Sequence, residues 1–95
     1  MHAEETKEFS DWINGLRDVV GRARIQARIE RLRQGNPGDH STLRGGVKEL
    51  KMDFGPGYRV YYIERGKTVI VLLGGGDKST QRADIEAAVA MAEQL

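Results

Sequence analysis

Residues Gly55 to Asp84 read GPGYRVYYIERGKTVIVLLGGGDKSTQRAD, and the architecture of the chain follows from them. After the Gly55-Pro56-Gly57 turn, strict alternation predicts a strand with Tyr58, Val60 and Tyr62 on one side and Arg59, Tyr61 and Ile63 on the other. A short hairpin around Glu64-Arg65-Gly66-Lys67 leads into Val69–Leu73, an unbroken apolar run of the kind that occupies the middle of a sheet. Gly74, Gly75, Gly76 and Asp77 then open a helix predicted from about Thr80 to Gln94, with Ile85, Ala88, Val89, Ala92 and Leu95 on one stripe and Asp77, Ser79 or Thr80 as its cap.

Upstream of this stretch, Val47 to Phe54 alternates between Leu50, Met52 and Phe54 on one face and Glu49, Lys51 and Asp53 on the other, as a half-buried strand requires. Phe9, Trp12, Ile13 and Leu16 follow the i, i+3, i+4, i+7 spacing of an amphipathic helix from Lys7 to Leu16, with Thr6 as its cap. A second helix is predicted from Val19 to Gln34, burying Ile25, Ile29 and Leu32 and carrying Arg24, Arg28 and Arg31 on an adjacent stripe, read here as a solvated face. Gly35-Asn36-Pro37-Gly38-Asp39 ends that helix and opens a loop through Gly46. Met1 to Glu5 reads as a short edge strand. The predicted class is α+β: two helices, three antiparallel strands and a final helix in one domain spanning 1–95.

Composition narrows the chemistry. The chain has 95 residues, 39% apolar and 31% charged, enough for one modest core and unlike a disordered or collagen-like sequence. No apolar run approaches the ~20 residues that span a bilayer, and MHAEETKEF is too acidic and polar for a secretory signal, so a cytoplasmic protein without a membrane partner is expected. There is no cysteine, which excludes disulfides, thiolate catalysis and cysteine zinc sites. His2 and His40 stand apart without neighbouring ligands, so neither a metal nor another cofactor is expected.

The net charge is only +1, but basic residues gather at Arg17–Arg33, Lys48–Lys51, Arg59–Lys67 and Lys78–Arg82, an asymmetry able to hold phosphates or an acidic partner. Lys78-Ser79 after a glycine run resembles a phosphate-binding loop only superficially, because the fixed glycines of that motif would fall at Leu72 and Asp77. Neither histidine has a nucleophile context. Cationic chemistry remains. Cleaving RNA without a metal requires the 2′-oxygen to attack its own phosphate while charge on the phosphorane is stabilised. Arg59 suits bidentate phosphate contact, and Lys78, Lys51 and Arg82 supply further charges. Tyr61, on the Arg59 face, suits base stacking or hydroxyl donation. Asp84 is a possible proton acceptor, or simply a favourable charge at a helix N-terminus. The competing reading of Arg59 is a cross-strand pair with Glu49 or Asp53.

GPGYRVYY, LLGGGDKSTQRADI and Gly35-Asn36-Pro37-Gly38-Asp39 together resemble the RelE/ParE superfamily of toxins from type II toxin–antitoxin modules, in particular its HigB-like addiction-module killer branch. The resemblance implies a RelE-like small antiparallel sheet, an N-terminal helical hairpin packed on one face, and a C-terminal helix. It implies a metal-independent, ribosome-dependent mRNA endoribonuclease, neutralised by a cognate helix-turn-helix antitoxin and meeting operator DNA only through that antitoxin. Arg59 and Lys78 match the family's strand arginine and post-strand basic residue. Glu49 and Lys51 stand where RelE proper has a lysine pair, the usual C-terminal tyrosine has no counterpart, and Asp84 lies near its place. The alternative within the superfamily is a ParE-like inhibitor of DNA gyrase that cleaves nothing.

Overall fold

The computed structural model describes residues 1–95. The elements follow in the order β1 (His2–Glu5), α1 (Lys7–Gly15), α2 (Val19–Arg33), β2 (His40–Thr42), β3 (Lys48–Lys51), β4 (Arg59–Arg65), β5 (Val69–Gly76) and α3 (Gln81–Glu93), with short 3-10 turns at Arg44–Gly46 and Lys78–Thr80. The sheet order is β1-β5-β4-β3-β2. β5 is interior, as its apolar run requires, although β4 is the geometric centre. The predicted antiparallel sheet needs one amendment: β1 runs parallel to β5, with Ala3 opposite Ile70. The expected loop to Gly46 also contains β2, an edge strand of three residues antiparallel to β3. Its short, polar HST sequence gives little periodic signal.

The helices start and stop where side chains satisfy their free backbone groups. Thr6 Oγ1 accepts from the Phe9 N–H at 3.1 Å and caps α1. At the end of α2, Gly35 takes φ 90°, while the Gly35 and Asn36 N–H groups donate to the carbonyls of Leu32 and Arg31. This is the paired closure that a left-handed residue permits.

The two sheet faces carry separate cores. On one, Phe9, Ile13, Ile25, Ile29 and Leu32 from α1 and α2 pack on Leu50, Met52, Val60, Tyr62, Ile70 and Leu72. On the other, Ala88 and Val89 of α3 pack on Val47, Tyr61, Val71 and Leu73. The alternation read in β4 therefore holds. In β5 it breaks at a bulge: Tyr62 faces Leu72 but Tyr61 faces Gly74, leaving Leu73 as the extra residue. After the bulge, Gly75 turns toward α1 and Gly76 toward α3. A Cβ on Gly75 would run into the Trp12 ring, and one on Gly76 into the Asp84 carboxylate. Close packing thus accounts for both glycines.

Asp18 caps α2 through the Gly21 N–H at 2.9 Å and accepts from the Tyr58 hydroxyl at 2.8 Å. These two donors hold its carboxyl below the usual range, and Ser79 does the same for Asp77. A carboxylate whose folded pKa lies below its unfolded one adds stability that is complete above the unfolded value and lost as pH falls through the folded one. The melting temperature is therefore expected to decline below about pH 4. Asp18→Asn, which keeps an acceptor but no titratable group, should flatten that acid limb in melts between pH 2 and 6. An acid limb identical to wild type would dissociate Asp18 from it.

Candidate functional site

Cross-strand register puts Glu49, Lys51, Arg59 and Tyr61 on the α3 side of the sheet, with Glu49 opposite Tyr61 and Lys51 opposite Arg59. The middle of this face is not open. Tyr61 is 0% exposed, covered by α3 through Ala88 and Val89. This corrects the expectation that Tyr61 stacks on a base, because no ring face is available to a ligand. Nor is its hydroxyl, which is buried without a hydrogen-bond partner, a ready proton carrier. Burial first, and the Glu49 carboxylate second, push its pKa above the ordinary tyrosine value. Small residues in the middle of α3 let the helix sit this close, a consequence of tertiary packing that alternation within β4 does not report.

Arg59 is also buried, at 7% exposure. Its Nη1 donates to the carbonyls of Met52, Gly57 and Tyr58 at 3.0–3.1 Å. Two N–H bonds thus serve three oxygens, and neither Glu49 nor Asp53 is the partner. The carbonyls converge because the turn from β3 to β4 folds back on itself: Met52 N–H donates to Tyr58 O, Gly57 N–H to Phe54 O, and Gly55 and Gly57 adopt φ of 57° and 79°. Arg59 is therefore the internal clamp of this turn. Its Nε is buried without a partner.

Lys78 meets the same turn from outside. Its Cγ, Cδ and Cε lie where a side chain on Gly57 would be, so the stem crosses the turn backbone whose carbonyl Arg59 holds. Arg59 and Lys78 are thus brought together across Gly57, and Lys51 stands beside Arg59. Beyond Lys78, an open depression of about 560 Å³ is lined by Arg44, Lys78, Gln81, Arg82, Ile85 and Glu86. Three cations face one carboxylate there, and that carboxylate is paired with Arg44.

Asp84 is not part of this group. It accepts from Thr80 Oγ1 at 2.6 Å, fills the niche left by Gly76, and lines a different, 140 Å³ hollow with Tyr61, Glu8 and Met91. Its first-turn position in α3 fits the helix-terminus reading of this residue. Sequence reasoning missed Arg44, whose basic side chain follows an unrecognised strand, and Gln81. It also placed Glu49 on the polar face of a half-buried strand, as a candidate partner of Arg59. Glu49 is 2% exposed and accepts from Gln81 Nε2 at 2.9 Å. The available signal was its register two residues from Lys51, on the face that α3 must cover.

Residues 11–95 match the family model described as "Phage derived protein Gp49-like (DUF891)". The chain is 43% identical over 95 residues to an uncharacterized protein of Haemophilus influenzae, covering 100% of this chain and 96% of that one. Its fold is similar to a free-state mutant of the Escherichia coli toxin RelE, with a TM-score of 0.72 over 95% of this chain and 94% of the other at 16% identity. It is similar also to the conserved hypothetical protein HP0894 of Helicobacter pylori, with a TM-score of 0.53 over 83% of this chain and 96% of the other at 21% identity.

Proposed function

Because the chain belongs to the phage-derived Gp49-like family, a toxin family of RelE/HigB type, we propose that it is a metal-independent mRNA endoribonuclease acting on the translating ribosome. It is a toxin of a toxin–antitoxin module, with an antitoxin as its partner. The antitoxin is then of helix-turn-helix type, the site of action is the cytoplasmic ribosome, and residues 1–95 form one toxin domain. No helix is long and apolar enough to cross a membrane.

The observation carrying this reading is the meeting of Lys78 with Arg59 across Gly57, continued by Arg82 and Lys51. In-line attack by a 2′-oxygen gathers negative charge on the phosphate oxygens, and exposed cations on rigid supports stabilise it where water alone does so poorly. Lys78 and Arg82 are the exposed members and make the phosphate contacts. Arg59 acts chiefly by fixing the turn over which the Lys78 stem lies. With Tyr61 enclosed and Asp84 turned away, the proton transfers fall to the ribosome or to the substrate itself. That shortage of acid–base groups is what favours the second reading, inhibition of gyrase by binding alone.

Mapping the 5′ ends of a reporter mRNA in a reconstituted translation reaction separates the two. New codon-phased ends that appear only with the toxin are expected. Intact mRNA under arrested growth, with gyrase supercoiling blocked in a parallel assay, would replace the ribonuclease reading with the gyrase one.

A further inference from the structure

A second cationic depression lies on the opposite side of the turn, and it is unlike the first. It measures about 240 Å³ and is lined by Arg24, Ala27, Arg28, Arg31 and Phe54, with no carboxylate among them. The three arginines belong to the stripe that the sequence presents as a solvated face, but each is placed differently. The Arg24 guanidinium lies over the Phe54 ring, 5.1 Å from its centroid. Arg28 is fixed, donating to the carbonyls of Lys51, Pro37 and Asp39 at 2.8–3.0 Å. The exposed Arg31 side chain takes part in none of the chain's four ion pairs. Phe54 is half-buried and braced edge-on against Tyr58, with ring centroids 6.0 Å apart.

A braced aromatic face already carrying one flat cation, with a free arginine beside it and no acid in its lining, matches the needs of a single-stranded nucleotide: a platform for the base and charge for the flanking phosphates. An amphipathic protein helix would need a row of apolar pockets, and only Phe54 and Ala27 are available. The position is also apt. Arg28 donates to the carbonyl of Lys51, whose cross-strand neighbour is Arg59, so this depression and the Lys78–Arg59 region sit on either side of one turn. We infer that the Arg24–Arg31–Phe54 depression is a second RNA subsite that stacks one unpaired base on the Arg24 guanidinium carried by Phe54 and takes its phosphates on Arg31. The inference rests on the RNA reading of the toxin.

The test is titration of the full chain with a fluorescent single-stranded RNA of twelve nucleotides over a range of salt. Phe54→Leu, which keeps an apolar side chain against Tyr58, is expected to weaken binding about tenfold or more without changing the salt slope. Arg31→Gln, at an exposed position, is expected to lower the slope of log affinity against log salt by about 0.7. RNA with abasic nucleotides should bind wild type as weakly as intact RNA binds Phe54→Leu. Affinity indifferent to the abasic substitution and to both variants overturns the subsite, as does absence of RNA binding. Displacement of the RNA by poly-aspartate that is insensitive to Phe54→Leu would reassign the groove to an acidic protein segment and overturn it as well. Cleavage mapped in translation tests the toxin reading independently, so the two can fail separately.

Discussion

Lys78→Met is expected to lower mRNA cleavage in reconstituted translation by about two to three orders of magnitude, with the melting temperature unchanged. Methionine keeps most of the stem that lies over Gly57 and removes only the ammonium, so the turn stays covered. Removing a charge that stabilises the transition state typically costs about 3–4 kcal/mol, which corresponds to that loss in rate. The exposed setting of Lys78 makes a folding defect an implausible cause. Wild-type cleavage by Lys78→Met would remove this ammonium from the chemistry and shift attention to Arg82 and Arg44 in the adjoining depression.

Arg59→Met has a different expected signature, because activity and stability should fall together. The carbonyls of Met52 and Gly57 lose the donor that Nη1 supplies, and that of Tyr58 keeps only the Met52 N–H; hydrogen bonds to a charged partner contribute about 1.5–3 kcal/mol each, less when one group is shared. A total loss of about 3 kcal/mol would lower the melting temperature by roughly 12–24 °C in a domain of this size. Cleavage should drop at temperatures well below the new midpoint, since the turn supporting Lys78 is loosened. Thermal melts and end mapping on the same preparation check this. A variant that melts like wild type yet has lost cleavage would return Arg59 to direct phosphate contact and contradict its role as the clamp of the turn.

The contrast between these two residues marks what a one-dimensional reading can reach. Periodicity identified α1, α2, β4 and α3 within a few residues, since each carries a clear stripe or alternation and recognisable caps at Thr6 and Gly35. It also placed Arg59 and Tyr61 correctly on the face opposite Val60 and Tyr62. What periodicity does not encode is what covers a face. Tyr61 and Glu49 are enclosed because α3 returns over the sheet, and Arg59 is enclosed because a turn with two positive-φ glycines aims three carbonyls at it. β2 was missed for a related reason: three polar residues become a strand only because β3 offers its edge. Lys78 and Arg82 kept the accessibility expected of them, as long cationic side chains at element ends usually do, whereas Lys51 is half-buried.

The bulge in β5 has a consequence for how substitutions are tolerated. Gly74, Gly75 and Gly76 are three identical letters, and a substitution matrix treats them alike. Nothing stands within 4 Å of where a Gly74 side chain would begin, whereas the same atom at Gly75 is barred by Trp12 and at Gly76 by Asp84. Natural variation should therefore collect at the first of the three and be purged from the other two. The permissive position is the one that adjoins the extra residue, so a chain with one glycine fewer there would regularise the ladder while leaving both helix-facing notches in place.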